Sequence, residues 1–400
     1  MEGKRLHTLY YNNQNKIMMK REDGFTLVEL MITMVVFVLF MSAASTVFTG
    51  LLTQFKQQSK QAETNIEGIV GLEILRQDIE GAGYGLAWNG LIAYSEVTAN
   101  PFSLNDAPSG VPKAIVSKNS ATSADYLVIR SVTVARNAAS DKWTTLGSAS
   151  PYVRTWTTAG ETNPVSENLQ STDRVIVISP MGTSSNPREL IVDGSAFSTT
   201  FSGVTASSWR PTPSAVEETR VVYGIAPGST NLRMPFNRAD YFISTTNELG
   251  NNIVPKRCAP NTGVLVKATV NHSNGTFTYL PLLDCVADMQ VIYGLDRDAD
   301  GDFEPDVSGS TDGYNDDLTG STWTAQIIHE QVKQVRVYIL AHEGQKDITF
   351  IYPTSTVSLG GDVAGGLGST FNLASAIGDP EYKHYRWKLY TIVVTPNNLE

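Results

Sequence analysis

The sequence is poor in charge and has very few cysteines for its length. Only 18% of its 400 residues are charged, the net charge is −10, and two cysteines occur. Without a cluster of lysine and arginine beyond residue 24, the chain lacks the basic face that displaces counterions from nucleic acid, so no nucleic-acid partner is predicted. Low charge with abundant Ser, Thr, Gly and Asn is typical of exported β-rich proteins.

Patterns of catalytic residues are also missing from the sequence. The five histidines show no metal-ligand spacing such as H-E-x-x-H. There is no G-x-S-x-G nucleophile elbow, and the glycine-rich segment 361–369 lacks the lysine of a phosphate loop. The sequence therefore predicts no enzyme and no catalytic residue.

The N-terminus carries a long apolar run after a polar segment. Residues 1–24 contain Lys16, Lys20 and Arg21, and residues 25–52 are almost wholly apolar, with Glu29 as the single ionisable side chain. About 20 apolar residues span a bilayer as a helix, and the preceding basic residues keep the leader cytoplasmic. A secretory signal peptide would have a shorter apolar run before its cleavage site. A plain membrane anchor would not explain Glu29, because a carboxylate in the membrane is costly and marks a specific pairing.

Residues 24–29, Gly-Phe-Thr-Leu-Val-Glu, closely resemble the prepilin processing motif of type IV pilins and type II secretion pseudopilins. In those families a membrane peptidase, which is also an N-methyltransferase, cuts after the glycine and methylates the new N-terminus. The resemblance implies cleavage after Gly24, a mature chain beginning at N-methyl-Phe25, and pairing of Glu29 with the terminal ammonium of a neighbouring pilin. Such a buried carboxylate and ammonium are tolerable only as partners.

The apolar helix is expected to continue beyond the membrane. No proline occurs before Pro101, and apolar residues recur at helical spacing over 66–79. An unbroken helix from residue 25 to 80 would be roughly 80 Å long, with Gly50, Gly68 and Gly71 as points where it could bend. The glycine-rich segment 81–85 is a stop signal, and residues 75–85 resemble the helix end of PilW-family minor pilins.

The rest of the chain predicts strands separated by polar loops. Strand-like runs are expected at 126–136, 174–179, 219–224, 264–270, 277–283, 289–294, 332–341, 348–352 and 385–395, with a hairpin turn at 271–275. Cys258 and Cys285 flank that hairpin and would form one disulfide in an exported head; two buried thiols are the alternative for a cytosolic one.

The predicted fold class is α+β and type IV pilin-like: a long N-terminal helix, half transmembrane and half amphipathic, packed on a large antiparallel β-rich head. The predicted segments are a leader (1–24), a transmembrane and filament-core helix (25–52), its amphipathic continuation (53–85), and an extracytoplasmic head (86–400). Before assembly the protein would sit in the inner membrane with a periplasmic head, and afterwards in the pilus at the cell surface.

One dense group of carboxylates resembles a calcium loop. Its D-x-D-x-D-G spacing provides Asp296, Asp298 and Asp300 as side-chain ligands, Asp302 as a carbonyl ligand, and Glu304 directly or through water. The twelfth position is valine rather than glutamate, so an outside carboxylate would have to complete the shell; the candidates are Asp306, Asp312, Asp316 and Asp317. A solvated acidic turn is the alternative, although five acids in nine residues repel one another without a cation.

The resemblance favours a PilW-like minor pilin that helps to start pilus assembly and lies at or near the tip. Its implied partners are the prepilin peptidase, other minor and major pilins, and the inner membrane, and a structural Ca²⁺ is the only expected cofactor. Two alternatives remain: a minor pseudopilin of a type II secretion system, and a pilus-borne adhesin whose Ser/Thr-rich loops bind a surface or glycan.

Overall fold

The fold is given by a computed structural model. It describes residues 24–88, 92–98, 102, 104–108, 110–119, 123–157, 166–180, 188–212, 218–228, 230–305 and 310–399. The predicted leader therefore lies outside the described residues, apart from Gly24. Two compact units are present, residues 1–56 and residues 57–400.

A helix begins two residues after Phe25 and ends at the predicted glycine-rich stop. Helix α1 is Leu27–Glu80, and the Thr26 hydroxyl accepts a hydrogen bond from the Glu29 amide at 3.3 Å, as an N-cap does. At the other end Gly83 has a φ of +81°, which an L-residue with a side chain rarely adopts. The sequence therefore sets both ends of α1 by local chemistry.

Two of the three glycines in α1 serve close packing. A side chain at Gly71 would overlap the backbone carbonyl of Leu282, and one at Gly68 would come within 3.0 Å of the Leu283 side chain. These glycines, which the sequence suggests as points where the helix could bend, let the helix backbone approach a strand.

The apolar stripe predicted over 66–79 is buried only in its second part. Leu72, Leu75 and Ile79 are buried, whereas Ile66, Ile69 and Val70 are exposed. Helical periodicity alone could not locate the point at which the head begins to cover the helix.

Fifteen strands and two short helices follow α1 in the described parts of the chain. The strands are β1 Ile115–Lys118, β2 Tyr126–Ser131, β3 Trp143–Leu146, β4 Arg174–Ser179, β5 Glu189–Leu190, β6 Thr199–Thr200, β7 Arg220–Ala226, β8 Asn237–Ser244, β9 Gly263–Val270, β10 Phe277–Leu295, β11 Gly313–Asn315, β12 Val332–Glu343, β13 Thr356–Leu359, β14 Ser369–Asn372 and β15 Arg386–Val394. The helices are α2 Ala325–Gln331 and α3 Leu373–Ala376.

An antiparallel sheet of eight strands forms the centre of the head. Its order is β1-β2-β8-β9-β10-β12-β15, with β11 paired to β10. Leu75 and Ile79 of α1 share one hydrophobic core with Leu127, Ile129 and Leu265 of the sheet. The predicted α+β fold, with a helix packed on a large antiparallel head, is confirmed.

A buried ion cluster fixes α1 to this sheet. The Asp78 carboxylate accepts hydrogen bonds from Lys267 of β9 and from the hydroxyl of Tyr241 of β8, and it pairs with Arg136 at 3.0 Å. Burial lowers the pKa of Lys267, while the negative charge of Asp78 opposes that shift. Because all three donors converge on one carboxylate, the packing of the helix depends on this aspartate.

Strand β10 corrects the prediction of two strands over 277–283 and 289–294. It is one strand of 19 residues whose first half pairs with β9 and whose second half pairs with β12. Irregular register marks the join, where Cys285 has a φ of +58°. The bulge interrupts the alternating pattern, which explains why the sequence predicts a break there.

The predicted turn at 271–275 and the disulfide are both present. The Asn271 amide donates to the Thr276 carbonyl at 2.9 Å and Gly275 has a φ of +75°, so a tight turn joins β9 to β10. Cys258 and Cys285 are disulfide-bonded. The cross-link therefore ties the segment before β9 to the centre of β10.

Two smaller sheets complete the head. The order β3-β7-β4-β5, with β6 paired to β4, forms a five-stranded sheet, and β13 pairs with β14 in a hairpin. Residues 348–352, predicted as a strand, contain no strand, and Ile348 and Ile351 are exposed. An apolar run without a partner strand does not form a sheet.

Candidate functional site

The predicted processing segment is exposed in the structure. Gly24 has no neighbouring atom within 4 Å of a side chain built on it, and Phe25 is 80% exposed. Both precede the first turn of α1, which contains Glu29. A peptidase could therefore approach the 24–25 bond without unfolding the described part of the chain.

The following stretch is apolar and uncovered. Every residue from 24 to 56 is exposed, including aromatic residues such as Phe37, Phe40 and Phe48. The segment Leu27–Lys60 is long and apolar enough to span a membrane. Water does not favour so continuous an apolar surface, which is consistent with a membrane-anchored segment.

Three aspartates of the acidic loop region come together. Carboxylate oxygens of Asp296, Asp298 and Asp312 all lie within 4.8 Å of one another. Asp296 follows β10 directly and is buried, whereas Asp298 is exposed. Oxygen donors from carboxylates are the ligands that Ca²⁺ prefers. Among the described residues Asp300 and Glu304 do not join this group.

Backbone amides hold these carboxylates in place. Asp296 accepts hydrogen bonds from the amides of Ala299 at 2.6 Å and Gly301 at 3.0 Å. Asp312 bridges two parts of the loop by accepting from the amides of Arg297 at 2.9 Å and Glu304 at 2.8 Å. The loop is thus wrapped around its acidic side chains.

Electrostatic repulsion within the loop is visible at Asp302. Desolvation and the nearby carboxylates of Asp300 and Glu304 raise the pKa of Asp302. A cation placed among these groups would relieve that repulsion. The donor set and the charge distribution both fit a divalent ion.

Among the described residues, one of the outside carboxylates suggested by the sequence lies close to Asp296 and Asp298. Asp312 joins the group, while Asp316 accepts from Asn119 at 2.6 Å and Asp317 pairs with Lys118 at 3.2 Å. Asp306 lies outside the described residues. Sequence spacing could not single out Asp312, because the pairing of Gly313 with Leu295 between β11 and β10 brings it back to the loop.

Comparisons with known families match two parts of the chain. Residues 19–45 match the model of the prokaryotic N-terminal methylation motif, and residues 240–398 match that of the type IV pilus-assembly protein W. No curated protein and no solved structure matches the chain. The methylation motif, the apolar helix and the antiparallel head together support a type IV pilin-like protein.

Within that class, the match over β8 to β15 supports a protein of the PilW family. Both families indicate a structural pilin rather than an enzyme. They imply processing by the prepilin peptidase and interaction with other pilins.

Proposed function

We propose that this protein is a minor type IV pilin that takes part in starting pilus assembly and lies at or near the tip. The observation that carries the proposal is the apolar surface of residues 24–56, exposed throughout and interrupted near its start by Glu29. The PilW match over 240–398 supports the pilin class. A head of more than 300 residues, 57–400, packs poorly into a repeating shaft, and this favours a terminal position.

The same apolar surface suits both the membrane-anchored form and the filament form of such a protein. In the membrane, lipid covers it; in a filament, the helices of neighbouring subunits replace the lipid. An ionised carboxylate is costly in either setting unless it is paired. Glu29 and the methylated amine of Phe25 on a neighbour would provide that pair and set the axial register.

Intact mass and N-terminal sequencing of the membrane protein test the processing step. We expect a mature chain beginning at methylated Phe25 in cells with prepilin peptidase and an uncut chain in cells without it. A chain cut near Ala44, or left uncut in both strains, would contradict the proposal.

The register pair and the tip position need a second experiment. Glu29→Gln keeps the size of the side chain but removes its charge, so we expect normal processing and strongly reduced incorporation into sheared pili. Thr33→Val, one turn further along an exposed face, is the matched control. A tag on the head should label filament ends; label along the shaft would reject the tip position.

We also propose that Asp296, Asp298 and Asp312 bind a structural Ca²⁺ in the head, with Asp300, Asp302 and Glu304 completing the shell. Their convergence within 4.8 Å supports this for the first three. A ligand that binds only the folded state stabilises it by about 2.7 kcal/mol at a hundredfold excess over its Kd. Ca²⁺ should therefore raise the unfolding temperature of the purified full chain relative to chelator.

The matched variants are Asp298→Asn and Asp316→Asn. The first removes a proposed ligand, and the second changes an aspartate that bonds to Asn119 instead. We expect the calcium-dependent rise in unfolding temperature to be lost only in Asp298→Asn. An equal rise in both variants, or none in the parent chain, would show that the acidic loop binds no calcium.

A further inference from the structure

A large groove lies on the face of the central sheet opposite α1. Tyr241 of β8 reaches Asp78 on α1, so its neighbour Phe242 points to the other face of the sheet. Phe242 lines a groove of about 1270 Å³ whose opposite wall is the β13–β14 hairpin and α3. The volume is above the roughly 300–1,000 Å³ of a typical small-molecule site, so it suits an extended ligand.

Aromatic rings form the floor of this groove. Tyr126 and Phe242 are stacked with centroids 4.9 Å apart and an interplanar angle of 9°. Tyr279 meets Phe242 edge-on at 5.6 Å. Phe277 and Phe371 are also half-buried in the lining. Aromatic faces carry partial negative charge and attract polarised C–H groups, such as those on one face of a pyranose ring.

The walls supply polar groups that other contacts already orient. Asp288 is buried and accepts hydrogen bonds from the Met289 amide at 2.9 Å, Ser369 at 3.1 Å and Gln290 at 3.3 Å. On the hairpin side, Asn372 accepts from the Ser375 amide at 3.1 Å. Carboxyl and amide groups fixed in this way can each make a further hydrogen bond to a hydroxyl group.

The charge of the lining narrows the class of ligand. The described residues of the groove include the carboxylates Asp125 and Asp288 but no lysine, arginine or histidine, which disfavours phosphates and acidic sugars. Burial raises the pKa of Asp288 despite its hydrogen bonds, because its surroundings disfavour the charged form.

A peptide fits this floor less well than a sugar does. The strand that carries Phe242, β8, is paired on one side with β2 and on the other with β9. The backbone of β8 therefore has no free edge for main-chain hydrogen bonds to an added strand. Recognition on this strand has to come from ring faces and polar side chains.

We propose that this groove binds a neutral oligosaccharide, whose sugar rings stack on Phe242 and Tyr279 while its hydroxyl groups bond to Asp288, Gln290 and Asn372. The head would then recognise a glycan surface in addition to its part in assembly. This inference does not depend on the position of the protein in the pilus.

The test is binding of the purified full chain in detergent to defined hexasaccharides, measured by calorimetry and saturation-transfer NMR. The neutral probes are cello-, laminari-, chito- and maltohexaose, and the acidic probe is hexagalacturonate. We expect at least one neutral probe to bind and the acidic probe not to bind. Absence of binding to every neutral probe, or tighter binding of the acidic probe, would overturn the proposal.

Three variants locate the binding. Tyr279→Ala removes one ring, and Thr370→Trp places a bulky side chain at an exposed lining position without removing any core contact. Each should weaken binding at least tenfold with an unchanged unfolding temperature. Trp143→Ala, which removes a partly exposed ring on the five-stranded sheet, is the control and should bind like the parent chain. Equal affinity in all three would place the sugar elsewhere.

Discussion

The two parts of helix α1 bury their side chains very differently. From residue 24 to 56 every residue is exposed, although the stretch is almost wholly apolar. Further along, Leu72, Leu75 and Ile79 are buried under the central sheet, and charged residues such as Glu73 and Arg76 remain at the surface. The apolar residues of the later part are thus explained by their burial in the protein's own core. The earlier part is not covered by any of the residues that the structure describes, as expected of a membrane-anchored segment.

An arginine introduced into each part of α1 should have the largest and most different effects, because only the later part lies in the core of the head. Ile79→Arg places a cation in the core, so we expect the head to lose its protease resistance, at a cost of more than about 4 kcal/mol. Val38→Arg should leave the head folded and instead reduce membrane retention, since insertion of a central arginine costs about 2.5–3.5 kcal/mol. Limited proteolysis and membrane fractionation measure the two effects. Unfolding of the head by Val38→Arg would show that the exposed part of α1 also contributes to the stability of the head.

The sequence predicted features of the fold that depend on local chemistry. The apolar run, the glycine-rich stop at 81–85 and the turn at 271–275 each contain their own signal, and the structure confirms them. Strand Arg174–Ser179 also matches its predicted bounds. Such features need no knowledge of distant partners.

Features that depend on distant pairing were not predictable. Gly71 looked like a bending point because its contact, the Leu282 backbone, lies more than 200 residues away in sequence. The same limit applied to the acidic loop: spacing supplied Asp296 and Asp298, but only the β10–β11 pairing selects Asp312. The aromatic groove gave no sequence signal, because its rings come from separate strands.

Removal of a buried ionic anchor is the next largest expected effect. Asp78→Ala would leave Lys267 buried without its counter-charge, which typically costs roughly 3–5 kcal/mol. Its control, Glu73→Ala, breaks an exposed pair with Arg76 and should change little. Urea denaturation followed by circular dichroism measures both. Asp78→Ala combined with Lys267→Met should recover part of the loss, and no recovery would argue against the buried pair.

Acid should lower the folding stability of the head and should not affect the exposed part of helix α1. Burial lowers the pKa of both His272 and His342 to about 4, with Arg233 adding to the shift at His272. Each histidine stays neutral in the fold but takes up a proton near pH 6.5 when unfolded. Their stabilisation is therefore complete above pH 6.5 and is lost as the pH falls towards 4, by about 3 kcal/mol each.

Denaturation midpoints between pH 7 and 4 measure this loss. His342→Gln keeps an acceptor for the Ala259 amide, which bonds to the imidazole at 2.9 Å, but it does not titrate. The variant should show a flatter pH dependence than the parent chain. A parent chain with no loss of stability between pH 6.5 and 4 would show that these histidines are not held neutral.

The smallest expected effect comes from a single methyl group placed in each part of the helix. Gly71→Ala inserts a carbon against the Leu282 carbonyl, so overpacking costs of about 1–3 kcal/mol should exceed the helix-propensity gain of about 1 kcal/mol. Gly50→Ala meets no atom within 4 Å and should gain helix propensity without a clash. The unfolding temperature of the head should fall by a few degrees only for Gly71→Ala. Equal behaviour of the two variants would mean that α1 does not approach β10 closely at Gly71.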